Sequence, residues 1–151
     1  MPEPAGLLER AAIRLNERAA DRDAAIRACG QALIDTGAVD AAYVEAMLER
    51  ERSISTYVGE GVAIPHGTLA SKETVRRDAL SFVRFPETVD WGGEPVTICI
   101  GIAAQGGGHM GILSALAEIL LEPGRARALR EADDPDEVLR LLQPAREDST
   151  T

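Results

Sequence analysis

A short apolar run ends in a histidine at residues 61–68, which read GVAIPHGT. The apolar residues 62–64 predict a short buried strand, and Pro65 ends its ladder because proline has no N–H to donate. His66 then stands at the strand tip, and Gly67 allows the backbone to turn sharply or to approach a ligand closely. The pattern therefore predicts an imidazole that is held at a rigid strand end.

The plainer interpretation of residues 61–68 is a strand-terminating turn with an incidental histidine. A functional interpretation gains weight because the chain has only two histidines. The second, His109, also follows a strongly apolar run, beyond the glycines 106–108. Backbone N–H groups near Gly67 and the hydroxyl of Thr68 are suited to face an anion. Because α/β folds place ligands at strand carboxyl ends, we expect both histidines to share a crevice at one edge of the sheet.

Length and composition indicate one globular domain of 151 residues, 45% hydrophobic and 27% charged. No stretch approaches the roughly 20 apolar residues of a membrane span. The chain does not start with the basic-then-apolar pattern of a secretory signal, so we expect a cytoplasmic protein. Cys29 and Cys99 fall in apolar surroundings and predict reduced core thiols rather than a disulfide.

The net charge of −9 argues against nucleic acid or an anionic membrane as a partner. An acidic chain of this kind would suit a basic protein partner. Acidic balance is common among globular proteins, so the charge alone does not identify that partner.

Apolar periodicity predicts alternating helices and strands. Helices are expected between Asp21 and Gly37, over 41–51, 110–121 and 125–132, and from Pro135. Strands are expected over 62–64, 79–85 and 96–104, and residues 12–15 fit a first short strand better than the end of a short helix. Asp40 is the predicted N-cap of the second helix, and residues 86–95 predict a turn-rich segment. The run 96–104 is the most apolar and predicts a central strand that is buried on both faces. The pattern predicts a single α/β domain with a mixed sheet and helices on both faces, between loose ends at residues 1–6 and 144–151.

Several kinds of catalytic site are disfavoured by their missing residues. A metal site lacks a third ligand spaced near either histidine. A serine hydrolase would need a G-x-S-x-G elbow, and a phosphate-binding loop would need Lys-Ser/Thr after the glycines 106–108. Arg50 and Arg52 end the second helix shortly before the histidine and would favour an anion there. Taken singly, each also fits a solvated cation that the helix dipole favours.

Two stretches carry a family resemblance: residues 43–51, YVEAMLERE, and residues 56–68, TYVGEGVAIPHGT. They closely resemble the IIA component of the mannitol/fructose class of the bacterial sugar phosphotransferase system. The similarity continues through residues 100–104, His109 and 136–142, and it covers roughly residues 10–142, which it implies as the core of the single domain. Within the class, the residues around the first stretch and the short loops most resemble those of the mannitol-specific member.

The resemblance implies a phosphotransferase that works as a phosphocarrier without a cofactor. His66 would accept a phosphoryl group from the carrier HPr and pass it to a cysteine on the IIB domain of the sugar permease. Arg50 and His109 would line the phosphohistidine pocket, and the resemblance favours Nε2 as the phosphorylated nitrogen. Gly108 departs from the family, whose mannitol-type members have a polar residue just before the second histidine.

The residue types fit this chemistry independently. A neutral imidazole nitrogen is a good nucleophile, and phosphoryl transfer mainly needs positioning and stabilisation of charge on the equatorial oxygens. Arg50 offers a permanently charged fork for those oxygens. Two alternatives remain: a nitrogen-type IIA regulator that binds proteins according to its phosphorylation state, and a degenerate, non-phosphorylated interaction module. The presence of His66, Arg50 and His109 argues against the second.

Overall fold

The computed structural model describes residues 4–67, 73–104, 108–122 and 124–142. The strands are β1 (Leu8–Arg14), β2 (Tyr57–Gly59), β3 (Val62–Ala63), β4 (Ala79–Trp91) and β5 (Glu94–Ala103). The helices are α1 (Arg22–Asp35), α2 (Ala42–Ser53), α3 (Gly108–Leu120), α4 (Arg125–Glu131) and α5 (Pro135–Leu141). A short 3-10 helix, Pro4–Leu7, precedes β1.

The sheet is mixed, with the strand order β1-β4-β5-β3-β2. β5 runs parallel to β3 and antiparallel to β4, and β4 runs parallel to β1. β5 is therefore the central strand, as its apolar sequence predicts. It is buried on both faces because Ile98, Ile100 and Ile102 join one core, whereas Cys99 and Ala103 join the other.

Helices cover both faces of the sheet, which confirms the predicted α/β fold. α1 and α2 pack mainly on the face that carries Cys99, and α3, α4 and α5 pack on the opposite face. Cys29 and Cys99 are free, buried thiols, as predicted. Burial, together with the neighbouring Cys29 thiol, raises the pKa of Cys99. No helix in the described part of the chain is long and apolar enough to cross a membrane.

The caps of the first two helices differ from each other. Asp21 caps α1 as predicted, because its carboxylate accepts from the N–H of Ala24 at 2.9 Å. The predicted cap Asp40 is wrong, since α2 begins at Ala42 without a side-chain cap. The carboxylate of Asp40 accepts instead from Nε of Arg76 at 2.7 Å. A distant arginine therefore replaced the local helix N–H groups as its partner.

The hairpin between β4 and β5 corrects another prediction. Residues 86–95 are predicted to be turn-rich, but the two strands occupy all of them except 92–93. Both residues of this tight turn are glycines with positive φ, 67° and 101°, which glycine adopts at no steric cost. The register shifts between residues 84 and 89, and such a bulge accommodates Pro86, which cannot donate to a regular ladder.

The sheet edge next to the histidine also contains a strand that the sequence did not predict. β2 pairs antiparallel with β3, and the turn between them holds Glu60 at a φ of 56°. β1 likewise begins earlier than the predicted strand 12–15. β3 itself is only two residues long, so its position depends on β2 and β5 on either side.

Candidate functional site

His66 lies just beyond β3, at the carboxyl end of the parallel strands β3 and β5. The N–H of Ile102 donates to the carbonyl of Pro65 at 2.9 Å, and His66 pairs with Ile102 in an isolated parallel bridge. Residues 64–67, called the histidine turn below, are therefore tied to the central strand. Only 6% of His66 is exposed. The predicted position of the imidazole at a strand end is confirmed.

A hydrogen bond within the histidine turn sets the protonation of the ring. Nδ1 of His66 lies 3.0 Å from the carbonyl oxygen of Ile64. A carbonyl oxygen can only accept, so Nδ1 must carry the proton and donate. In the neutral imidazole the lone pair then belongs to Nε2. The turn therefore orients one nitrogen inward as a donor and leaves the lone pair of the other, Nε2, unprotonated.

Tyr43 of α2 holds the far side of the same turn. Its hydroxyl donates to the carbonyl of Ile102 at 2.7 Å and accepts from the N–H of Gly67 at 2.9 Å. Burial raises the pKa of Tyr43 to about 12, although the hydrogen bond from Gly67 acts to lower it. The Gly67 amide is thus directed at Tyr43, so the prediction that backbone N–H groups near Gly67 face an anion is wrong for that amide.

Sequence reasoning placed Tyr43 only on the inner face of a helix and did not predict its role at the turn. A signal was available, because a buried tyrosine hydroxyl usually finds a hydrogen-bond partner. The sequence does not say which backbone groups those partners are. They follow from the packing of α2 across the carboxyl ends of β3 and β5.

Glu51 is a second residue that the sequence did not single out. It is buried, and its carboxylate accepts from the N–H and the hydroxyl of Thr56, at 2.8 and 2.6 Å, and from Nε1 of Trp91 at 2.9 Å. These bonds compensate the cost of burying the carboxylate. The carbonyl of Thr56 in turn accepts from the N–H of Ile64 at 3.0 Å. Glu51 therefore fixes the loop that leads into the histidine turn.

Arg50 lies in the last turn of α2, beside Glu51. Its Nη1 donates to the carbonyl of Ile54 at 2.9 Å. Within the described part of the chain, the polar contact of the guanidinium is with this main-chain group rather than with His66. The structure thus places Arg50 next to the loop that precedes the histidine turn. Its expected contact with a phosphoryl group on His66 stays a prediction.

His109 is the second residue of α3, the helix that follows β5. Because β3 and β5 are parallel neighbours, His66 and His109 both follow strand ends at the same edge of the sheet, as predicted. The side chain of His109 lies outside the described residues, as do Thr68 and the residues 105–107. The predicted role of His109 in the pocket therefore stays a prediction.

Among the residues that the structure describes, no group of three or more His, Cys, Asp or Glu side chains lies together in a way that could hold a metal ion. What the described site does offer is a buried imidazole in a defined tautomer. Such a group can act as a nucleophile toward an electrophilic phosphorus.

Comparison with known proteins places the chain in a defined group. Residues 6–144 match the family model described as phosphoenolpyruvate-dependent sugar phosphotransferase system, EIIA 2. The mannitol-specific phosphotransferase enzyme IIA component of Staphylococcus aureus (strain MRSA252) is 39% identical over 133 residues, which cover 88% of this chain and 92% of that protein.

Two solved structures show the same fold. The complex of enzyme IIAMTL and phosphorylated enzyme IIBMTL from Escherichia coli contains a chain that matches with a TM-score of 0.83 and 35% identity, over 90% of this chain and 98% of that one. The nitrogen regulatory protein IIA-Ntr from Neisseria meningitidis matches with a TM-score of 0.80 and 26% identity, over 92% of this chain and 98% of that one. Sequence identity is therefore higher to the mannitol protein than to the regulator.

Proposed function

The chain belongs to the EIIA 2 family of the phosphoenolpyruvate-dependent sugar phosphotransferase system, and from this premise we propose that His66 is the residue on which it carries the phosphoryl group. The chain is a phosphotransferase IIA component that receives phosphate from phospho-HPr and delivers it to the IIB cysteine of a mannitol permease, or of a related hexitol or fructose permease. The observation that carries the proposal for His66 is the hydrogen bond from its Nδ1 to Ile64 at 3.0 Å.

That bond supports Nε2 as the reacting atom. The lone pair of Nε2 forms the new P–N bond while the P–N bond to the donor histidine of HPr breaks. Nδ1 keeps its proton throughout and donates it in the hydrogen bond to the carbonyl of Ile64. The acceptor ring therefore need not lose a proton before it reacts. In the next step the IIB thiolate attacks the same phosphorus, and the His66 imidazole leaves as the neutral ring with which the cycle began.

Charge on the transferred group must also be stabilised. In phosphoryl transfer the negative charge is spread over three equatorial oxygens of the phosphoryl group. We propose that Arg50 supplies N–H donors to those oxygens, since one of its nitrogens already fixes it to Ile54 and a guanidinium has further donors. We also propose that His109 assists from the first turn of α3. A helix N-terminus favours negative charge in any case.

We also propose that the phosphoryl transfer takes place in the cytoplasm. The support is that Cys29 and Cys99 are free thiols, and a reducing compartment keeps thiols in that state.

The carrier role is favoured over the regulatory alternative by the higher identity to the two mannitol proteins compared above, 39% and 35% against 26% for the nitrogen-type regulator. A chase experiment tests it. The protein is labelled with radioactive phosphoenolpyruvate, enzyme I and HPr, separated from them, and mixed with the IIB domain of a mannitol permease. We expect the label to move to IIB and to remain on the chain when the IIB cysteine is replaced by serine. Retention of the label with intact hexitol and fructose IIB domains would indicate a regulator instead.

A further inference from the structure

Several hydrogen bonds hold the histidine turn, and three of the described ones come from different directions. Nδ1 of the ring donates to Ile64, the N–H of Ile102 donates to Pro65, and the N–H of Gly67 donates to Tyr43. The first two are made by the turn itself and by β5. The third is made by a side chain of α2, which brings a separate element to the site.

The hydroxyl of Tyr43 does more than accept from Gly67. It also donates to the carbonyl of Ile102, and Ile102 is the residue with which His66 pairs across the sheet. One oxygen atom therefore bridges the residue that follows His66 and the strand position that faces His66. It fixes the distance between β5 and the exit of the histidine turn.

We propose that Tyr43 is a positioning residue for phosphoryl transfer: its hydroxyl holds Gly67 and Ile102 in one geometry, so that the His66 ring keeps Nδ1 on Ile64 and presents Nε2 to the donor. This inference rests on the proposed function of His66. Tyr43 touches neither the phosphorus nor the ring in this scheme and acts through the main chain on both sides of the turn.

The chemistry of the hydroxyl suits this role. With a pKa of about 12, the hydroxyl keeps its proton at physiological pH and can donate and accept at the same time. Tyr43 is only 3% exposed, so water cannot readily replace it. Phenylalanine at this position would fill the same space but leave the Gly67 N–H and the Ile102 carbonyl without their partner.

The bridge also restricts where the phosphoryl oxygens find donors. Because the Gly67 N–H is directed at Tyr43, the amide that immediately follows the nucleophile does not serve as their donor in this geometry. The stabilising groups must then come from other side chains or amides. Arg50 must therefore stabilise more of the charge on the phosphoryl oxygens than it would in a site with a complete set of backbone N–H donors.

The test compares Tyr43→Phe with Ser81→Ala. Ser81 is also a buried residue whose hydroxyl bonds a main-chain carbonyl, that of Cys29 at 3.0 Å, but it lies on β4 opposite Gly101 and its bond is to α1, not to the histidine turn. Single-turnover transfer from phospho-HPr is measured for both. A displacement of about 1 Å in a catalytic group can cost on the order of 100-fold in rate, so we expect Tyr43→Phe to lose about 10- to 100-fold and Ser81→Ala to transfer at the wild-type rate.

The second readout is the tautomer of His66 in the unphosphorylated protein, from long-range proton–nitrogen correlations of the ring. We expect the wild type and Ser81→Ala to show Nδ1–H alone and Tyr43→Phe to show an added share of Nε2–H. A wild-type tautomer in Tyr43→Phe, or a wild-type transfer rate despite a changed tautomer, would overturn the positioning role. If the variant does not fold, absence of a nuclear Overhauser contact between the Gly67 amide and the Tyr43 ring in the wild type would overturn it too.

Failure of this inference and failure of the proposed function are distinguishable. If His66 is not the acceptor, the phosphate of the wild-type protein maps to another residue, whatever the tautomer measurements show. If only the role of Tyr43 is wrong, the wild type still carries phosphate on His66, and Tyr43→Phe transfers it normally.

Discussion

Phosphorylation of the His66→Ala variant by phosphoenolpyruvate, enzyme I and HPr is expected to fall to the background of a reaction without the protein. The reason is that, in the proposed mechanism, Nε2 of His66 supplies the bond to phosphorus, whereas His109 assists the transfer and does not accept the group. The measurement is acid-labile phosphate bound per molecule of protein at equal times. His109→Ala should still bind phosphate, which would establish His66 as the only acceptor of the two histidines.

A matched variant separates loss of the nucleophile from damage to the fold. Because His66 is only 6% exposed, alanine leaves a cavity that can destabilise the protein. Asparagine places an amide N–H where Nδ1 stood and can still donate to Ile64, but it has no counterpart of Nε2. We expect His66→Asn to melt close to the wild type and to remain unphosphorylated. Normal labelling of either variant would refute the assignment.

Removing the Arg50 guanidinium is expected to slow transfer about 100-fold. Loss of one preorganised donor to a developing oxyanion typically costs about 10²–10³ in rate, and a phosphocarrier, whose barrier is smaller than that of a peptidase, should lie at the low end. Arg50→Lys should restore only part of the rate, because an ammonium cannot bind two oxygens as the planar fork does. The measurement is single-turnover transfer from phospho-HPr, and we expect His109→Ala to show a loss of similar size.

Arg52→Ala provides the control for Arg50. It removes one positive charge from the same helix end, but residues two apart on a helix do not face the same side. We expect a near-normal rate for this variant. The free energy of unfolding should change little in Arg50→Ala and His109→Ala, within the roughly 0.5 kcal/mol that is typical of surface substitutions. Melting curves check this. A rate loss in Arg52→Ala equal to that in Arg50→Ala would reduce the effect to long-range charge.

Local sequence patterns predicted the elements whose partners are near in the chain or whose character is unambiguous. The central strand β5 was predicted because apolar residues occupy nearly every position, which is typical of a strand that is buried on both faces. The start of α1 was predicted because Asp21 finds its N–H partner three residues later. Both inferences depend on interactions that a short window of sequence contains.

The errors arose where distant partners decided the outcome. Pro86 reads as a strand terminator, yet β4 continues past it because the register shift relative to β5 absorbs the missing donor. Asp40 reads as a cap, yet it binds Arg76, 36 residues away. In each case a local preference was overridden by packing that brings together parts of the chain remote in sequence.

The site shows the same division. The pattern at residues 61–68 located His66 and predicted its place at a strand end. The contacts that orient the ring were less accessible, because Tyr43 meets Gly67 across 24 residues and Ile102 across 59. Glu51, whose partner Trp91 is 40 residues away, was hidden for the same reason. Sequence could therefore name the proposed nucleophile but not the groups that hold it.

The most direct measurement locates the phosphate on the wild-type protein by nitrogen NMR. With nitrogen-15 in the histidines, the spectrum contains only two imidazoles, so His66 and His109 can be assigned from the His109→Ala variant. After phosphorylation through HPr, we expect phosphorus coupling at Nε2 of His66, with Nδ1 still protonated and His109 without phosphate. Phosphorus coupling at Nδ1 of His66 or on His109, or phosphate bound without any change in either ring, would contradict the proposed site.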